Sequence, residues 1–274
     1  MSRKYTVSVV IKNIIAWMVS IVMMVPLLLI FINSLKDKAQ ASSMGMDLPK
    51  TLHFENYLIV IERGKLLRSF FNSMFYAGSA ILIAILLTSM AAYVLARNKT
   101  RLNRFLYFFI ITGLAMPVNY VSLMKVMQLT HLNNTRIGIA LLYAAIQVPI
   151  SVFLIYGFIG TIPLELDEAG ILDGCSPIRL YFNIVMPLLK PVLVTVAILT
   201  FMDAWNQFSF PLYYLNSSTK WPMTLAVYSF FGQFHKEWNL VSADILLTSL
   251  PVLIIYLLGQ KYIISGMTVG SVKG

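Results

Sequence analysis

The residues that could do chemistry cluster in one segment, 165–191, and the chemistry they favour is docking rather than catalysis. It contains four acids and several helix-breaking or helix-capping residues, in the order Glu165, Asp167, Glu168, Asp173, Gly174, Ser176, Pro187 and Pro191. No histidine lies among them. A charged segment of this length is typical of a small folded surface that binds a soluble partner.

Local helix signals predict two short helices that meet at an angle. Pro163 suits the first turn of a helix, where its missing N–H has no cost. Gly174 is a good helix stop, because glycine adopts the left-handed conformation without strain. Ser176, followed by a proline, then begins a second helix as its N-cap. Pro187 and Pro191 delimit the return to an apolar region.

The composition indicates a membrane protein. The 274 residues are 58% hydrophobic and 12% charged, whereas a soluble domain carries about 25% charged residues. The net charge of +10 fits loop retention and anionic lipid better than nucleic-acid binding. The single cysteine excludes an intrachain disulfide, and the three histidines lie too far apart in sequence to suggest a metal site.

The apolar segments predict an all-α membrane protein with six transmembrane helices in a single domain, residues 1–274. The predicted spans are 14–33, 71–96, 105–129, 137–160, 191–212 and 243–262. A loop, 161–190, separates the fourth and fifth spans, and a tail, 263–274, follows the last. Pro117 and Asn119 interrupt the third apolar segment, and Gln147 and Pro149 interrupt the fourth. We expect the prolines to kink these helices, which neighbouring helices can tolerate.

Charge asymmetry predicts the orientation. The short loop from Arg97 to Arg104 has four cations and no acid, which places it in the cytoplasm. Both termini and the 161–190 loop then face the cytoplasm as well. Ala39-Gln40-Ala41 resembles a signal-peptide cleavage site, but the apolar run before it exceeds the 7–15 residues of a signal peptide. We therefore expect an uncleaved first span.

The 165–191 segment resembles the cytoplasmic loop of permease subunits of type I ABC importers. That loop reads Glu-Ala-Ala, then Asp-Gly three residues on, then Pro-x-x-x-Pro. This chain has Glu168-Ala169-Gly170, Asp173-Gly174, and Pro187 to Pro191. The resemblance implies cytoplasmic coupling helices between spans 4 and 5 that dock into an ATPase subunit. The implied docking residues are Glu165, Glu168, Ala169, Gly170, Asp173, Gly174, Ser176 and Pro187.

In that resemblance Glu168 and Asp173 are the polar contacts, and Ala169, Gly170 and Gly174 allow close approach. Gly170 replaces the second alanine of the motif, which loosens the helix by roughly 1 kcal/mol.

Two further stretches resemble carbohydrate importer permeases, and the second of these resembles the maltose-type second permease subunit. They are Ala204-Trp-Asn-Gln-Phe208 and the tail from Gly266 to Gly274. The tail implies docking residues Gly270, Lys273 and Gly274 between two ATPase subunits. Its glycine spacing favours an extended strand, and a frayed terminus is the alternative.

The resemblance implies that this chain is one subunit of a multi-subunit transporter. The partners are a second permease in a heterodimer, two ATP-binding cassette subunits, an extracytoplasmic solute-binding protein and the lipid bilayer. ATP and Mg would be bound by the ATPase subunits, and this chain would hold no cofactor and be no enzyme. Its place would be a bacterial or archaeal plasma membrane.

The candidate substrate pathway is a polar stripe on the fifth span, formed by Thr200, Asp203, Asn206 and Gln207. An intramembrane carboxylate is costly and normally faces a cavity or a partner. The stripe therefore either hydrogen-bonds a polyhydroxyl solute or packs against the second permease. Asn119 and Gln147 are weaker candidates of the same kind.

The aromatic residues of the 213–242 loop allow two interpretations. They could contact the sugar or its binding protein, or they could anchor the chain at the membrane interface.

Two other functions are weighed against sugar import. An ion-coupled secondary transporter would have internal repeats and several buried ionisable groups, and the sequence shows neither. An intramembrane enzyme would need a base or a ligand set, and no His or Cys lies within a predicted span. The sequence contains no G-x-x-x-x-G-K-[ST] phosphate-binding motif, so an ATP-driven process needs a separate ATPase.

Overall fold

A computed structural model describes residues 2–231 and 236–269, with side chains for 9–231 and 236–262. Over these ranges the backbone is helical and has no β-strand, apart from one isolated bridge between Phe231 and Lys236. The predicted all-α class is therefore confirmed.

Fourteen α-helices follow one another in the described residues. They are α1 Ser2–Ser34, α2 Lys38–Ala41, α3 Glu55–Arg63, α4 Leu66–Arg97, α5 Arg101–Thr112, α6 Tyr120–Leu129, α7 Arg136–Ile159, α8 Glu165–Leu172, α9 Pro177–Leu180, α10 Met186–Leu188, α11 Lys190–Asn206, α12 Ser209–Tyr214, α13 Met223–Ala226 and α14 Trp238–Val269. One π-helical turn, Tyr181–Val185, joins α9 to α10, and two 3₁₀ turns lie at Ser218–Lys220 and Val227–Phe230.

Four stretches of the described chain are long and apolar enough to cross a bilayer. They are Val9–Ser34, Leu66–Arg97, Arg136–Ile159 and Trp238–Tyr262. A fifth is formed if the pair Pro177–Leu188 and Lys190–Asn206, which is bent by 76°, counts as one broken span. Helices α1, α4 and α14 have 32 or 33 residues. About 20 residues suffice to cross the hydrocarbon core, so these helices extend beyond it.

The predicted third span, 105–129, is not one helix. Helix α5 ends at Thr112 and α6 begins at Tyr120. Pro117 lies in the break, and Asn119 caps α6 by accepting a hydrogen bond from the Ser122 N–H at 2.9 Å. In contrast, the fourth span is one helix, because α7 continues through Pro149. Gly113 lies against the Pro149 ring, where a Cβ would come within 2.8 Å of it.

Contacts group the chain into two compact units, Met1–Leu67 with Ala226–Leu250, and Arg68–Leu225 with Pro251–Gly274. In the first unit, polar side chains fix the chain where α1 ends. Lys36 is 1% exposed and its ammonium donates to Asn33 Oδ1 at 3.1 Å and to the Gly45 carbonyl at 2.7 Å. Asn56 donates to the carbonyls of Ser34 and Lys36 and accepts from Asn239 at 2.9 Å.

The second unit has an apolar core where α4, α7 and α11 meet the turn after α9. Its buried members are Ala92, Leu95, Val152, Ile155, Ile159, Tyr181, Val185, Leu189, Val192, Leu193 and Val196. Glycine allows α14 to approach α11, since a Cβ on Gly259 would lie 2.8 Å from Ile198. Thr195 completes that contact by donating to the Tyr262 carbonyl at 2.9 Å. The segment that carries the candidate site is built onto this core.

Candidate functional site

The segment 163–189, called the elbow here, contains the two predicted short helices. The first is α8, whose opening turn carries Glu165, Asp167 and Glu168. Carboxylates are favourable there because the helix dipole is positive at its N-terminus. The predicted place of Pro163 is wrong by a small margin, because α8 begins at Glu165 with Leu164 as its N-cap and no side-chain cap bond. The proline precedes the helix instead of lying in its first turn.

A glycine-dependent turn ends α8. Gly174 has a φ of +78°, a conformation that glycine adopts without strain. The N–H of Gly174 donates to the Ile171 carbonyl and that of Cys175 to the Gly170 carbonyl, each at 3.0 Å. This pair of bonds is the Schellman motif, which satisfies the last carbonyls of a helix. The predicted stop at Gly174 is confirmed.

The second arm starts as predicted and then bends unexpectedly. Ser176 accepts from the Arg179 N–H at 3.4 Å and Pro177 occupies the first turn of α9. The chain continues through the π-helical turn and α10 before it bends by 76° into α11. Tyr181, in the π turn, shares a hydrogen bond with Ser89 of α4, and this contact ties the bend to the core.

Most predicted docking residues of the elbow are exposed. They are Glu165, Glu168, Ala169, Asp173, Gly174, Ser176 and Pro187. Large apolar side chains are exposed beside them, with Leu172 at 88%, Ile178 at 70% and Ile171 at 62%. The opposite side of α8 contacts Arg97 of α4, and the turn after α9 contacts Ser89 of α4. These contacts hold the mixed acidic and apolar face in one shape. Such a face is typical of a protein-binding surface.

Gly170 is the exception among the predicted docking residues. It is buried, and a Cβ there would lie 2.5 Å from Leu180 Cδ1 and 3.0 Å from Ile184 Cδ1. Its small size therefore lets α8 close against the second arm of the same chain. We predicted that a glycine here lets a partner approach closely. In the structure the glycine instead makes room for Leu180 and Ile184 of the same chain.

Sequence reasoning missed the buried acid of the elbow, Asp167. It is 5% exposed, and its Oδ2 lies 2.7 Å from Nε of Arg97 at the end of α4. The Tyr93 hydroxyl donates to the same oxygen at 3.2 Å, and both terminal nitrogens of Arg97 donate to the Ile162 carbonyl at 3.2 Å. The available signal was the three-residue spacing of Asp167 and Gly170, which puts both on one face of α8.

The predicted polar stripe on the fifth span is divided between surface and interior. Thr200 is 1% exposed, whereas Asp203 and Asn206 are exposed. Helix α11 ends at Asn206, so Gln207 is in extended backbone and not on the helix as predicted. Its amide still reaches Asp203, donating to Oδ1 at 3.3 Å. The stripe thus becomes a short polar rim where α11 ends.

A second polar row, on α7, was only partly predicted. Tyr143, Gln147 and Ser151 are spaced four residues apart on one face, and all are buried. The hydroxyls of Tyr143, Ser151 and Thr200 have no hydrogen-bond partner in the part of the chain that the structure describes. Orphaned buried hydroxyls are uncommon and need an explanation. Asn119 serves as a helix cap, and a solute role for it has no geometric support beyond exposure.

Two predicted features lie partly outside the described residues. Gly270, Lys273 and Gly274 of the predicted tail site are outside, as are Phe234 and His235 of the aromatic loop. Helix α14 continues to Val269, so the predicted extended tail is helical from Gly266 up to that residue. Three described aromatic residues of the loop pack on each other, with the Phe231 ring 5.8 Å from that of Trp238 and 6.0 Å from that of Tyr228. In residues 9–231 and 236–262, no three His, Cys, Asp or Glu side chains converge as a metal site requires.

Comparison with known proteins gives one family and several full-length relatives. The family model of the "binding-protein-dependent transport system inner membrane component" matches residues 84–269. The melibiose/raffinose/stachyose import permease protein MelC of Bacillus subtilis (strain 168) is 34% identical over 98% of this chain and 98% of its own. The probable starch degradation products transport system permease protein AmyC of Thermoanaerobacterium thermosulfurigenes is 32% identical over 99% of each chain.

A solved structure has the same fold. It is a chain of a bacterial ABC transporter involved in the import of the acidic polysaccharide alginate, with a TM-score of 0.83 over 96% of this chain and 98% of its own. Its identity to this sequence is 21%, so the likeness concerns the fold.

Proposed function

Since the chain belongs to the family of binding-protein-dependent transport system inner membrane components, we propose that it forms half of the translocation pathway of an ATP-driven importer for a sugar or oligosaccharide. The observation that carries this proposal is the exposed acidic and apolar face of the elbow, held in one shape by the Schellman turn and by its attachments to α4. The relatives named as sugar permeases support the choice of cargo.

The elbow face would receive the ATPase subunit. Glu168 and Asp173 would be the polar contacts, and Leu172 and Ile178 would supply apolar area. ATP and Mg would be bound and turned over by two partner ATPase subunits, because this chain is a transport subunit and not itself an enzyme. Closure of those subunits around ATP would push α8, and the bundle would change between inward-facing and outward-facing states.

The six-span arrangement and the orientation are part of the proposal. Helices α5 and α6 would cross the membrane together as the third span, and α11 would form most of the fifth. The termini, the basic segment from Arg97 to Arg104 and the elbow would face the cytoplasm, as the positive-inside rule expects. The chain would lie in a bacterial or archaeal plasma membrane.

The cargo would pass between this chain and a second permease. The polar rim of Asp203, Asn206 and Gln207 can hydrogen-bond hydroxyl groups, and the buried hydroxyls on α7 and α11 could be partnered in another state of the cycle. A separate extracytoplasmic solute-binding protein would select the sugar. The alternative function, an ion-coupled secondary transporter, is not favoured, because the family is that of binding-protein-dependent transport systems.

Affinity purification from native membranes tests the assembly. We expect a second permease, an ATPase and a solute-binding protein to co-purify with the chain.

The Glu168→Lys, Asp173→Lys double variant should insert and fold but lose ATP-dependent uptake, because it reverses the charge of the elbow face. Normal uptake by that variant, or isolation of a chain that transports sugar without an ATPase, would contradict the proposal.

A further inference from the structure

We propose that Asp167 and Arg97 form the positioning link through which movement of α8 enters the transmembrane helix α4. The inference rests on the proposed function, and it concerns a face of the elbow that points away from the docking surface. Asp167 and Arg97 are positioning residues in this scheme. They contact neither ATP nor solute, and they act through the helices that they join.

The geometry singles out this pair. Asp167 and Gly170 are the buried residues of α8. Gly170 faces Leu180 and Ile184, so it holds α8 to the other arm of the elbow, which would move with it. Asp167 faces α4, where its Oδ2 lies 2.7 Å from Nε of Arg97, an ion-pair contact that is not aligned as a hydrogen bond, and accepts a hydrogen bond from the Tyr93 hydroxyl at 3.2 Å. The link therefore joins α8 directly to a helix of 32 residues.

Because both charges are largely buried, loss of either partner of the Asp167–Arg97 pair has a high energetic cost. The Asp167 side chain is 7% exposed and that of Arg97 is 15% exposed. Asp167 Oδ1 has no hydrogen-bond partner among the described residues. The charge of this carboxylate is therefore compensated through Oδ2, by Arg97 and Tyr93, and by the positive end of the α8 dipole. Salt screens such a pair little. Removal of one partner leaves a buried charge without compensation, which is far more costly than loss of a surface pair.

Arg97 also fixes the entry of the chain into the elbow. Its two terminal nitrogens both donate to the Ile162 carbonyl, which precedes α8 by three residues. One guanidinium therefore holds α8 at a carboxylate and at the backbone just before its first turn. Because the guanidinium is planar and its donors are fixed relative to each other, α8 cannot rotate without breaking one of the two contacts.

The test uses the complete complex in proteoliposomes, with its second permease, ATPase subunits and solute-binding protein. Solute uptake, ATP hydrolysis and subunit composition are measured together. Asp167→Asn and Arg97→Gln should keep the subunits assembled and ATP hydrolysis stimulated by the binding protein. Uptake should fall about tenfold, because the docked α8 then moves without α4. Each transported solute will thus use more ATP. Arg104→Gln is the matched control, since it removes an exposed cation from the same basic segment.

A purely structural role predicts something else. In that case uptake and ATP hydrolysis would fall together, in proportion to the loss of assembled complex, and this result would overturn the link. If Asp167→Asn fails to assemble, Tyr93→Phe decides the matter, because it removes only the hydroxyl that contacts Asp167. We expect an increased ATP cost per solute for that variant, and an unchanged ratio would overturn the proposal.

The charge-reversed pair adds an independent check. Asp167→Arg with Arg97→Asp should transport better than either single reversal, and transport no better than the worse single reversal would count against the link. The outcome is separable from the proposed function. If the unchanged chain yields no complex with an ATPase, the function fails, whereas normal coupling by Asp167→Asn in an assembled complex removes the link alone.

Discussion

At the scale of single residues, neighbouring carboxylates of α8 have opposite environments. Asp167 is buried against Arg97, and Glu168 is exposed on the docking face. The two are adjacent in sequence, and a helix turns successive side chains by about 100°, so they cannot share a surface. One acid therefore attaches the helix to its own chain while the other stays free for a partner. The same separation of roles applies to Gly170, buried, and Ala169, exposed.

Glu237 provides a pH-dependent prediction in the first unit. Burial raises the pKa of its carboxyl, but the hydrogen bond and charge of Arg63 at 2.7 Å and the charge of Lys38 at 3.5 Å outweigh it and hold the pKa below its usual value. A depressed carboxylate pKa stabilises the fold above the unfolded-state pKa, and this stability is lost as pH falls through the folded-state value.

Glu237→Gln should therefore lower the free energy of unfolding at neutral pH by about 1 kcal/mol. Thermal unfolding at several pH values measures it, and the gap between variant and unchanged protein should close under acid conditions. Glu62→Gln, at an exposed position of α3, is the control and should show no such gap. A gap that is the same at every pH would refute the ion-pair explanation.

At the scale of elements, backbone geometry decides what the elbow can do. An eight-residue helix has little stability of its own, so α8 depends on its Schellman turn and on its buried contacts. The break between α5 and α6 has a similar logic, because Pro117 cannot continue a helix and Asn119 begins the next one. The sequence shows the residue types that cause both features. The direction in which the chain then runs depends on the neighbouring helices.

Gly174→Val tests the turn. Valine at a φ of +78° is strained by about 1–2 kcal/mol, which should loosen the end of α8. We expect uptake to fall while the amount of inserted protein is kept. Gly157→Ala is the control, because a Cβ there meets nothing within 4 Å and alanine favours the helix. Equal uptake by both variants would show that the turn does not set the docking geometry.

Asn119 separates a capping role from a solute-binding role. Asn119→Ala should destabilise α6 by about 1 kcal/mol, because the Ser122 N–H loses its acceptor. Asn119→Ser keeps an acceptor and should restore both thermal stability and uptake. If the serine variant is stable but transports poorly, the side chain contacts the solute, and the assignment as a cap is incomplete.

At the scale of the whole molecule, buried polar side chains join separate helices within each of the two units. In the first unit, Lys36, Asn56 and Asn239 join the end of α1 to α14. In the second, Asp167 and Arg97 join the elbow to α4. In α1, no residue from 9 to 32 is buried by the part of the chain that the structure describes, so lipid or a partner subunit must cover this apolar stretch.

The single cysteine of the chain is a native probe of orientation. Cys175 lies in the turn of the elbow and is partly exposed. If the elbow faces the cytoplasm, a membrane-impermeant maleimide should label it in inside-out vesicles and leave it unmodified in intact cells. Added purified ATPase subunits should slow the labelling in vesicles. Labelling of intact cells would reverse the orientation and, with it, the proposed docking.

The order of apolar segments and the acid-glycine-proline spacing are enough to predict the helical class, the angled elbow and the stop at Gly174. These features depend on neighbours along the chain, where propensity and capping act. The burial of Asp167, the packing of Gly170 and the polar row through Tyr143 and Ser151 were decided by tertiary structure. Each depends on which helix lies opposite, and a side chain 70 residues away supplies no local signal. Likewise α7 continues through Pro149, whose ring lies against Gly113, a neighbour that the local sequence around the proline does not reveal.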